Sequence, residues 1–539
     1  MLNCTRAVRA AGLAALFAVS ACATSAPPQE PGLVEVSGGA VRGVIDGDLA
    51  VYKGIPFAAP PVGDLRWRAP QPAPSWTGAR DARAFAPPCI QTLRSGVPLP
   101  AGQPPMSEDC LYLNIWAPAH APDAPLPVMV WIHGGGFEYG AASVPTYNGE
   151  HLAHRGVIVV SIAYRLGALG FLAHPKLSRE SGHGSGNYGL EDMIAALHWV
   201  RDNITAFGGD PANVTIFGES AGAIAVGMLA ASPPARGLFH RAISQSGASM
   251  GPARRTSDEQ DVNMSLLTDA ERAGEQVFAD LGVADLAAAR ALPASQVVEA
   301  RLRYWKNFNL FWPNFDGYIL PGDQYELYTA GRQNDTPVLI GSNSDEGALM
   351  LRTPVSPAEF ERYVRGGYGD YAAAFLAAYP HADAADAFRA AKDIRRDGFF
   401  GWPTWAWARL QSRTGQGKVY AYYFDHTLPA PPSSRFHGGE GAIHAADIPY
   451  VFGTLDPNWA LTDTDRALSN LFMSYWVNFA RTGDPNGPGL PLWPAFTESD
   501  QRMMQLDDNP RAVPTPNLAQ IQVFETYYAA KRAANTSRR

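Results

Sequence analysis

Cysteine and basic residues are both scarce in this chain of 539 residues, and each shortage argues against one class of protein. The chain contains only four cysteines, which excludes a scaffold held together mainly by disulfides. The net charge is −8, and no run of basic residues lies within the body of the chain, so the composition argues against nucleic-acid binding. Beyond the N-terminal leader, no apolar stretch looks long enough to span a bilayer. Hydrophobic residues make up 46% of the chain, enough for a large core.

The N-terminus has the pattern of an export signal. Residues 1–21 combine two arginines with a short apolar stretch, and the letters V-S-A-C ending at Cys22 resemble a bacterial lipobox. We expect Cys22 to carry lipid and residues 22–32 to form a tether, which predicts a periplasmic or outer-membrane-anchored lipoprotein that contacts a membrane surface. The alternative is a soluble secreted protein cleaved near Ala26.

The remaining cysteines fall in one stretch of the chain. Cys4 lies in the leader and Cys22 is the expected lipid site, so only Cys89 and Cys110 are left to form a disulfide. Export to an oxidising compartment favours a disulfide between them. The alternative is a pair of free buried thiols.

The stretch Val214–Ala231 predicts a nucleophile. Its first residues are β-branched or aromatic, as in a buried strand, and its last residues are those of a buried helix. Between them lies G-x-S-x-G with Ser220 at its centre, the pattern of a sharp turn that exposes a serine hydroxyl. The alternative is an ordinary strand-to-helix turn, since glycine and serine are common.

Strand and helix patterns alternate along the chain. Apolar runs at Pro127–Ile132 and Val157–Ala163 predict buried parallel strands, and Leu190–Ile204 has the spacing of a helix. Further strand candidates are Pro337–Gly341 and Val419–Phe424. This alternation predicts an α/β protein with a large, mostly parallel sheet and helices on both faces.

A glycine loop, His133–Phe137, directly follows the Pro127–Ile132 strand. Glycines at the carboxyl end of a parallel strand let backbone N–H groups point into a crevice. We predict that Gly135 and Gly136, with Ala221 as a third donor, form an oxyanion hole. A phosphate cradle is the alternative, but the pattern G-x-x-x-x-G-K-[ST] is absent here.

A serine nucleophile needs a base, and the base needs a carboxylate to orient it. Downstream of Ser220, Asp345 and Glu346 both follow a strand candidate, and position alone leaves either as the acid. His437 and His444 lie further on in one glycine-containing segment, and both are candidates for the base.

Several long motifs resemble the type B carboxylesterase and cholinesterase group of α/β-hydrolases. Matching stretches run from near Gly43 to near Asp484 and include Y-K-G-I-P-F-A from Tyr52, S-E-D-C-L-Y-L-N from Ser107, the glycine loop and the nucleophile turn. The resemblance implies one α/β-hydrolase domain, here residues 33–530. Residues 531–539 contain no acidic residue and are predicted to form a flexible, solvated tail.

The resemblance also implies specific roles for residues. It assigns Glu346 as the acid and His444 as the base, through the pattern G-A-x-H-x-x-D-x-P-Y. It implies a Cys89–Cys110 disulfide, an ion pair between Arg66 and Glu108, and no cofactor. An ester hydrolase of this kind should gain activity through roughly pH 6–7, where an unperturbed imidazole loses its proton.

An alternative interpretation is a metal site formed by His437, Glu440 and His444, but the H-E-x-x-H pattern is missing and glycines disfavour a helix there. We therefore predict no metal site. Two further alternatives are a binding protein on the same fold and a peptidase or amidase with the same residues.

The loop Ile90–Asp109 contains no aromatic residue, which excludes a cation–π site there and disfavours choline esters. Aromatic residues are dense elsewhere and predict an apolar pocket for neutral, apolar or aromatic esters. Core packing is the alternative for each one: Tyr304, Trp305, Phe308, Phe311, Trp312, Phe315, Phe399, Phe400, Trp402, Trp405 and Trp407.

Overall fold

The computed structural model describes residues 30–92, 104–254, 263–300, 310–434, 437 and 440–536. The predicted leader, Cys22 and most of the tether lie outside these ranges, as do Tyr304, Trp305 and Phe308. None of the helices within the described ranges combines the length and apolar composition needed to cross a bilayer.

Sixteen strands occur in the described chain. They are β1 (Leu33–Val36), β2 (Gly39–Arg42), β3 (Val44–Asp46), β4 (Leu49–Pro56), β5 (Ala79–Asp81), β6 (Tyr112–Pro118), β7 (Leu126–Ile132), β8 (Ile158–Ile162), β9 (Gly209–Glu219), β10 (Arg241–Gln245), β11 (Ser265–Leu266), β12 (Asn314–Phe315), β13 (Val338–Asn343), β14 (Val419–Phe424), β15 (Arg502–Leu506) and β16 (Arg511–Pro514).

The helices surround these strands and are distributed along the whole chain. They are α1 (Glu150–Ala153), α2 (Gly167–Phe171), α3 (Pro175–Ser181), α4 (Tyr188–Asn203), α5 (Ala221–Ala231), α6 (Leu267–Asp280), α7 (Leu286–Ala291), α8 (Ala294–Glu299), α9 (Gln324–Thr329), α10 (Pro357–Tyr368), α11 (Ala372–Ala378), α12 (Ala384–Arg396), α13 (Trp402–Thr414), α14 (Ile448–Phe452), α15 (Asp463–Thr482) and α16 (Leu518–Thr536). A π-helical turn, Asp397–Gly401, joins α12 to α13.

The central sheet has 11 strands in the order β16-β15-β14-β13-β10-β9-β7-β8-β6-β4-β3. From β15 to β8 every neighbouring pair is parallel, whereas the pairs at both edges are antiparallel. The sheet is therefore mixed, with the predicted parallel strands at its centre. All the candidate site segments follow the carboxyl ends of these central strands, where α/β proteins place their sites.

The central strands are buried on both faces, which explains their unbroken apolar sequences. In β7, Val128, Val130 and Ile132 join the core on one face, whereas Met129 and Trp131 join the core on the other. Helices α4 and α5 cover the first face, and α14 and α15 cover the second. The predicted α/β architecture with helices on both faces is confirmed.

The stretch between Cys89 and Cys110 is closed by a disulfide. Beside it, the guanidinium of Arg66 donates two hydrogen bonds of 2.7 Å to the carboxylate of Glu108. Arg66 is 4% exposed and also donates to the carbonyl of Leu292, so the charge is paired and its hydrogens are satisfied. The structure contains both pairings implied by the resemblance.

The C-terminus departs from expectation. Residues 531–536, predicted as part of a flexible tail, continue helix α16. Arg532 lies 3.8 Å from the centre of the Tyr325 ring and donates to the carbonyl of Met250, and its Nε is 3.7 Å from Asp323 Oδ2. The acid-free composition predicts a solvated end, but the Arg532 cation is held by an aromatic ring and a buried carboxylate on distant segments.

Candidate active site

The turn at Ser220 has strained backbone geometry. Strand β9 ends at Glu219 and helix α5 begins at Ala221, and Ser220 between them has φ 56° and ψ −124°. Such a conformation is sparsely populated for a residue with a side chain and costs of order 1–3 kcal/mol. The turn is held by a hydrogen bond of 2.9 Å from Ser220 N to the carbonyl of Gln245.

Glycine is needed on both sides of this serine because the backbone is crowded. A Cβ added to Gly218 would lie 2.6 Å from the carbonyl carbon of Gly222. A Cβ added to Gly222 would overlap the carbonyl oxygen of Ile132 at the end of β7. The two glycines of G-x-S-x-G therefore let the nucleophile turn approach the start of the glycine loop.

The glycine loop lies against Ser220. A Cβ on Gly134 would be 3.0 Å from the Cβ of Ser220, which shows how closely the two segments approach. Gly135 and Gly136 have φ of +114° and +62°, in the region that favours glycine. In the described part of the chain their N–H groups have no hydrogen-bond partner. They are therefore available as donors beside the serine.

The loop is closed by a second set of contacts around Gly140. The side chain of Gln91 accepts from Gly140 N and donates to Gly140 O, both at 2.9 Å, and also donates to the carbonyl of Cys89. A Cβ on Gly140 would lie 2.6 Å from the carbonyl of Gly134, so this residue is tightly placed against the start of the loop. Gln91 thus ties the disulfide-bonded segment to the glycine loop.

His133 supports the same loop and is not a base. Its ring stacks on Tyr164 at 4.4 Å, and the Tyr164 hydroxyl donates to the His133 carbonyl at 2.8 Å. Burial lowers the pKa of His133 to about 4, so the ring is neutral at physiological pH. Its Nδ1–H is 2.8 Å from the carbonyl of Gly134.

The structure brings His444 to Glu346. His444 Nδ1 donates to Glu346 Oε2 at 2.5 Å, and the N–H of Asn343 donates to the other carboxylate oxygen at 2.8 Å. Glu346 is fully buried and His444 nearly so. A carboxylate held on one nitrogen of an imidazole fixes the orientation of the ring.

A second carboxylate lies at the opposite nitrogen. Glu219 Oε1 is 3.1 Å from His444 Nε2. Glu219 is the residue just before Ser220, so the variable position of G-x-S-x-G carries a charge in the centre of the site. The sequence offered one signal for this role, since a carboxylate between a buried strand and a buried helix is unusual.

Charge around the ring changes the proton affinity of His444. Burial is the largest single cause and lowers its pKa, but the carboxylates of Glu219 and Glu346 together outweigh burial and raise the pKa to about 9. The imidazolium form is therefore favoured at neutral pH. The sequence-based expectation of an activity rise at pH 6–7 assumed an unperturbed ring, and these two carboxylates move the expected rise to higher pH.

The histidine segment is held by the residues around the acid. Asp345 Oδ2 accepts from the N–H of Glu440, and its own N–H donates to the carbonyl of Ala442. The Asn343 side chain donates to the carbonyl of Ile443 at 2.9 Å. Asp345 thus contacts the backbone of the segment, whereas its neighbour Glu346 contacts the imidazole.

Gln245 links the serine to the histidine segment, a connection absent from the sequence analysis. Its backbone carbonyl accepts from Ser220, and its side-chain Nε2 donates to Asp447 at 2.8 Å. The Tyr422 hydroxyl donates to the same Asp447 oxygen, and Trp476 donates to Gln245 Oε1. These residues are far apart in the chain, so no local pattern could have predicted the network.

Ser220, the glycine loop and His444 line one cavity of about 810 Å³. Phe400, from the π-helical turn, packs on the His444 ring with centroids 4.7 Å apart. Phe399 and Trp312 also line the cavity. Of the other described aromatic candidates, Phe311, Trp402, Trp405 and Trp407 belong to the buried core, and Phe315 packs against it. His437 lines the cavity and bonds through Nδ1 to the carbonyl of Ala430.

Comparison with known proteins adds independent information. A model of the carboxylesterase family matches residues 30–524. The chain is 38% identical over 522 residues to the fumonisin B1 esterase of Sphingopyxis macrogoltabida, covering 93% of this chain and 92% of that protein. It is 37% identical over 492 residues to the para-nitrobenzyl esterase of Bacillus subtilis (strain 168), covering 88% and 94%.

Solved structures agree with these relatives. A PNB esterase superposes with a TM-score of 0.77 at 34% identity, covering 92% of this chain and 100% of that one. A thermophilic PNB esterase gives 0.79 at 33% identity, with the same coverage. Because sequence and structure match over nearly the full described length, the chain belongs to the carboxylesterase family and is a carboxylic ester hydrolase with the α/β-hydrolase fold.

Proposed function

We propose that Ser220, Glu346 and His444 act as a catalytic triad that hydrolyses esters through an acyl-enzyme. The Ser220 oxygen attacks the ester carbonyl carbon while its proton moves to His444 Nε2. Breaking the carbon–oxygen bond releases the alcohol, which takes that proton from His444. Water then attacks the acyl-serine by the same route and releases the carboxylic acid.

The N–H groups of Gly135, Gly136 and Ala221 are proposed to hold the oxyanion of each tetrahedral intermediate. Each such donor contributes about 3 kcal/mol to the stability of the transition state. The positive φ of both glycines and their unpaired N–H groups support this role. Ala221 N is at the start of helix α5, where the helix dipole also favours negative charge.

The single observation that carries the proposal is the 2.5 Å hydrogen bond between His444 and Glu346 in the cavity that Ser220 lines. Glu219 competes for His444 Nε2, so the ring must lose its proton and turn from Glu219 before it can accept the proton of Ser220. Activity is therefore expected to rise only as the pH approaches 9.

We propose neutral, apolar or aromatic esters as the substrate class. Phe399, Phe400 and Trp312 give the cavity an apolar wall. Two relatives carry names of the same kind, para-nitrobenzyl esterase and fumonisin B1 esterase, and the first of these names an aromatic ester.

The test is hydrolysis of p-nitrophenyl acetate and butyrate by the unaltered protein and by Ser220→Ala. We expect the variant to lose at least about three orders of magnitude in kcat. Ser249→Ala is the matched control, because Ser249 lines the same cavity without being part of the triad. A serine-directed organophosphate should label Ser220 stoichiometrically. Near-normal turnover by Ser220→Ala would refute the proposal.

We also propose that the protein is exported and anchored to a membrane surface through lipid on Cys22. The lipobox-like V-S-A-C sequence supports this, and the family match begins at residue 30, near the end of the tether. Metabolic labelling with a radioactive fatty acid should mark the protein, and Cys22→Ser should abolish the label. Labelling that persists in the variant would contradict an anchor at this residue.

A further inference from the structure

Charge is unevenly distributed in the active-site cavity. Besides His444, three charged side chains from the described ranges line it: Glu219, Arg352 and Lys392. Glu219 already faces His444 at 3.1 Å, so its charge is paired with that ring. Arg352 is close to Glu346 in the sequence, and Lys392 contacts its neighbour Asp345. The mechanism proposed above uses neither cation.

Arg352 is an exposed cation that has no counter-charge in the part of the chain that the structure describes. It follows the short helix Glu346–Leu349 that carries the acid, and its side chain reaches the cavity. Within the described ranges it makes no ion pair, hydrogen bond or ring contact. A cavity-lining guanidinium without a carboxylate partner among the described residues is available to a ligand.

Lys392 supplies the second cation in a different manner. It is 7% exposed, and its ammonium lies 3.4 Å from buried Asp345 and 2.9 Å from Glu440. Glu440 is 70% exposed, so it can leave Lys392 at little cost while Asp345 remains. The exposed carboxylate of Glu440 therefore occupies a position that a carboxylate of a ligand could take.

We propose that Arg352, assisted by Lys392, binds a carboxylate carried by the ester substrate. A guanidinium presents paired donors that match a carboxylate. Lys392, which also lines the cavity, already donates to the carboxylate of Glu440 at 2.9 Å. Leu349 and Leu351 line the wall beside Arg352, so the linker between scissile ester and carboxylate is apolar. Beside the neutral esters proposed above, monoanionic esters of dicarboxylic acids are then the preferred substrates. This inference rests on the proposed hydrolytic function and adds to it a preference among esters.

The experiment compares two substrates with the same acyl length, the p-nitrophenyl monoester of adipic acid and p-nitrophenyl hexanoate. They differ only in the terminal carboxylate. Arg352→Gln is expected to lower kcat/KM for the adipate monoester roughly fivefold to tenfold and to leave that for hexanoate within about twofold. Arg352→Glu should lower kcat/KM for the adipate monoester further, and Arg352→Lys should retain part of the activity that Arg352→Gln loses.

Two more variants make the test specific. Arg511 is an exposed arginine paired with Asp507 away from the cavity. Arg511→Gln removes the same charge as Arg352→Gln and should leave kcat/KM unchanged for both substrates. Glu440→Gln should lower KM for the adipate monoester, because the carboxylate competing for Lys392 is gone. Higher salt should weaken adipate hydrolysis by the unaltered protein but not by Arg352→Gln.

The possible failures are distinct. An adipate-to-hexanoate ratio of kcat/KM that is the same in the unaltered protein and in Arg352→Gln would overturn this inference and leave the esterase proposal intact. Absence of hexanoate hydrolysis by the unaltered, correctly folded protein would instead refute the proposed function, and this inference with it.

Discussion

The glycine loop and the histidine segment meet at Ser220, but they are held by different kinds of force. The glycine loop is fixed by neutral contacts, namely the Gln91 amide, the Tyr164 hydroxyl and close backbone packing around Gly140. The histidine segment is held through carboxylates, with Glu346 and Glu219 on either side of His444. The contacts of the glycine loop are therefore insensitive to pH, whereas the charge of the histidine segment changes with pH.

The largest expected loss of kcat comes from changing the carboxylate that holds the His444 ring. Glu346→Gln keeps the shape of the acid but removes its charge and allows the wrong orientation of the His444 ring. In a related arrangement such a change costs about 10⁴ in kcat, so a loss of about 10³ to 10⁴ is expected here. Steady-state kinetics with a p-nitrophenyl ester measures it.

Asp345→Asn is the matched comparison for that change. Asp345 is the adjacent carboxylate, but it contacts the Glu440 N–H and Lys392 and not the imidazole. Asp345→Asn should therefore lower kcat far less than Glu346→Gln does. Equal losses in the two variants would mean that the acid has been assigned to the wrong residue.

An intermediate effect is expected from the glycine loop. Gln91→Ala removes both hydrogen bonds to Gly140 and should let the glycine loop shift, lowering kcat roughly tenfold with little change in KM, since oxyanion binding acts in the transition state. A boronic acid inhibitor that mimics the tetrahedral state should lose affinity in parallel. The activity lost should not vary with pH.

The control for Gln91 is Gln71→Ala, whose exposed side chain donates only to the carbonyl of Ala69. Thermal unfolding of both variants separates general destabilisation from loop displacement. If Gln91→Ala raised KM and left kcat unchanged, the residue would act in substrate binding and the proposed tie to the oxyanion loop would be wrong.

The smallest expected effect is a shift in pH dependence. Glu219→Gln removes a carboxylate that raises the pKa of His444, so the ring should lose its proton at lower pH, and the acid side of the kcat/KM profile should move down by roughly one pH unit. Asp447→Asn should shift the profile less, because its influence on His444 ranks after those of Glu219 and Glu346. An unchanged profile in Glu219→Gln would contradict the charge-based account of the histidine segment.

Local sequence patterns predicted the parts of the fold that depend on local chemistry. The buried strands β7, β8, β13 and β14 and helix α4 lie where apolar runs and helical spacing placed them, because each pattern reflects burial along one element. The nucleophile turn was predictable for the same reason, since its glycines are required by contacts within the motif and at the end of β7.

Local sequence patterns could not predict contacts between distant segments. Position alone could not separate Asp345 from Glu346, or His437 from His444, and only the family resemblance favoured one of each. The approach of Glu219 and Phe400 to His444 depends on how three segments pack, so the high pKa of the ring could not be anticipated. The C-terminal segment was misjudged for the same reason, because its partners lie on other helices.

That C-terminal segment decides where the protein can be shortened or extended. Arg532 compensates Asp323, a buried carboxylate that caps the start of helix α9 and whose pKa burial raises to about 6. Trimming the chain before Arg532 would leave this carboxylate buried without its cation, a costly arrangement. A purification tag or fusion partner is therefore better appended after Arg539 than substituted for the last turn of the helix.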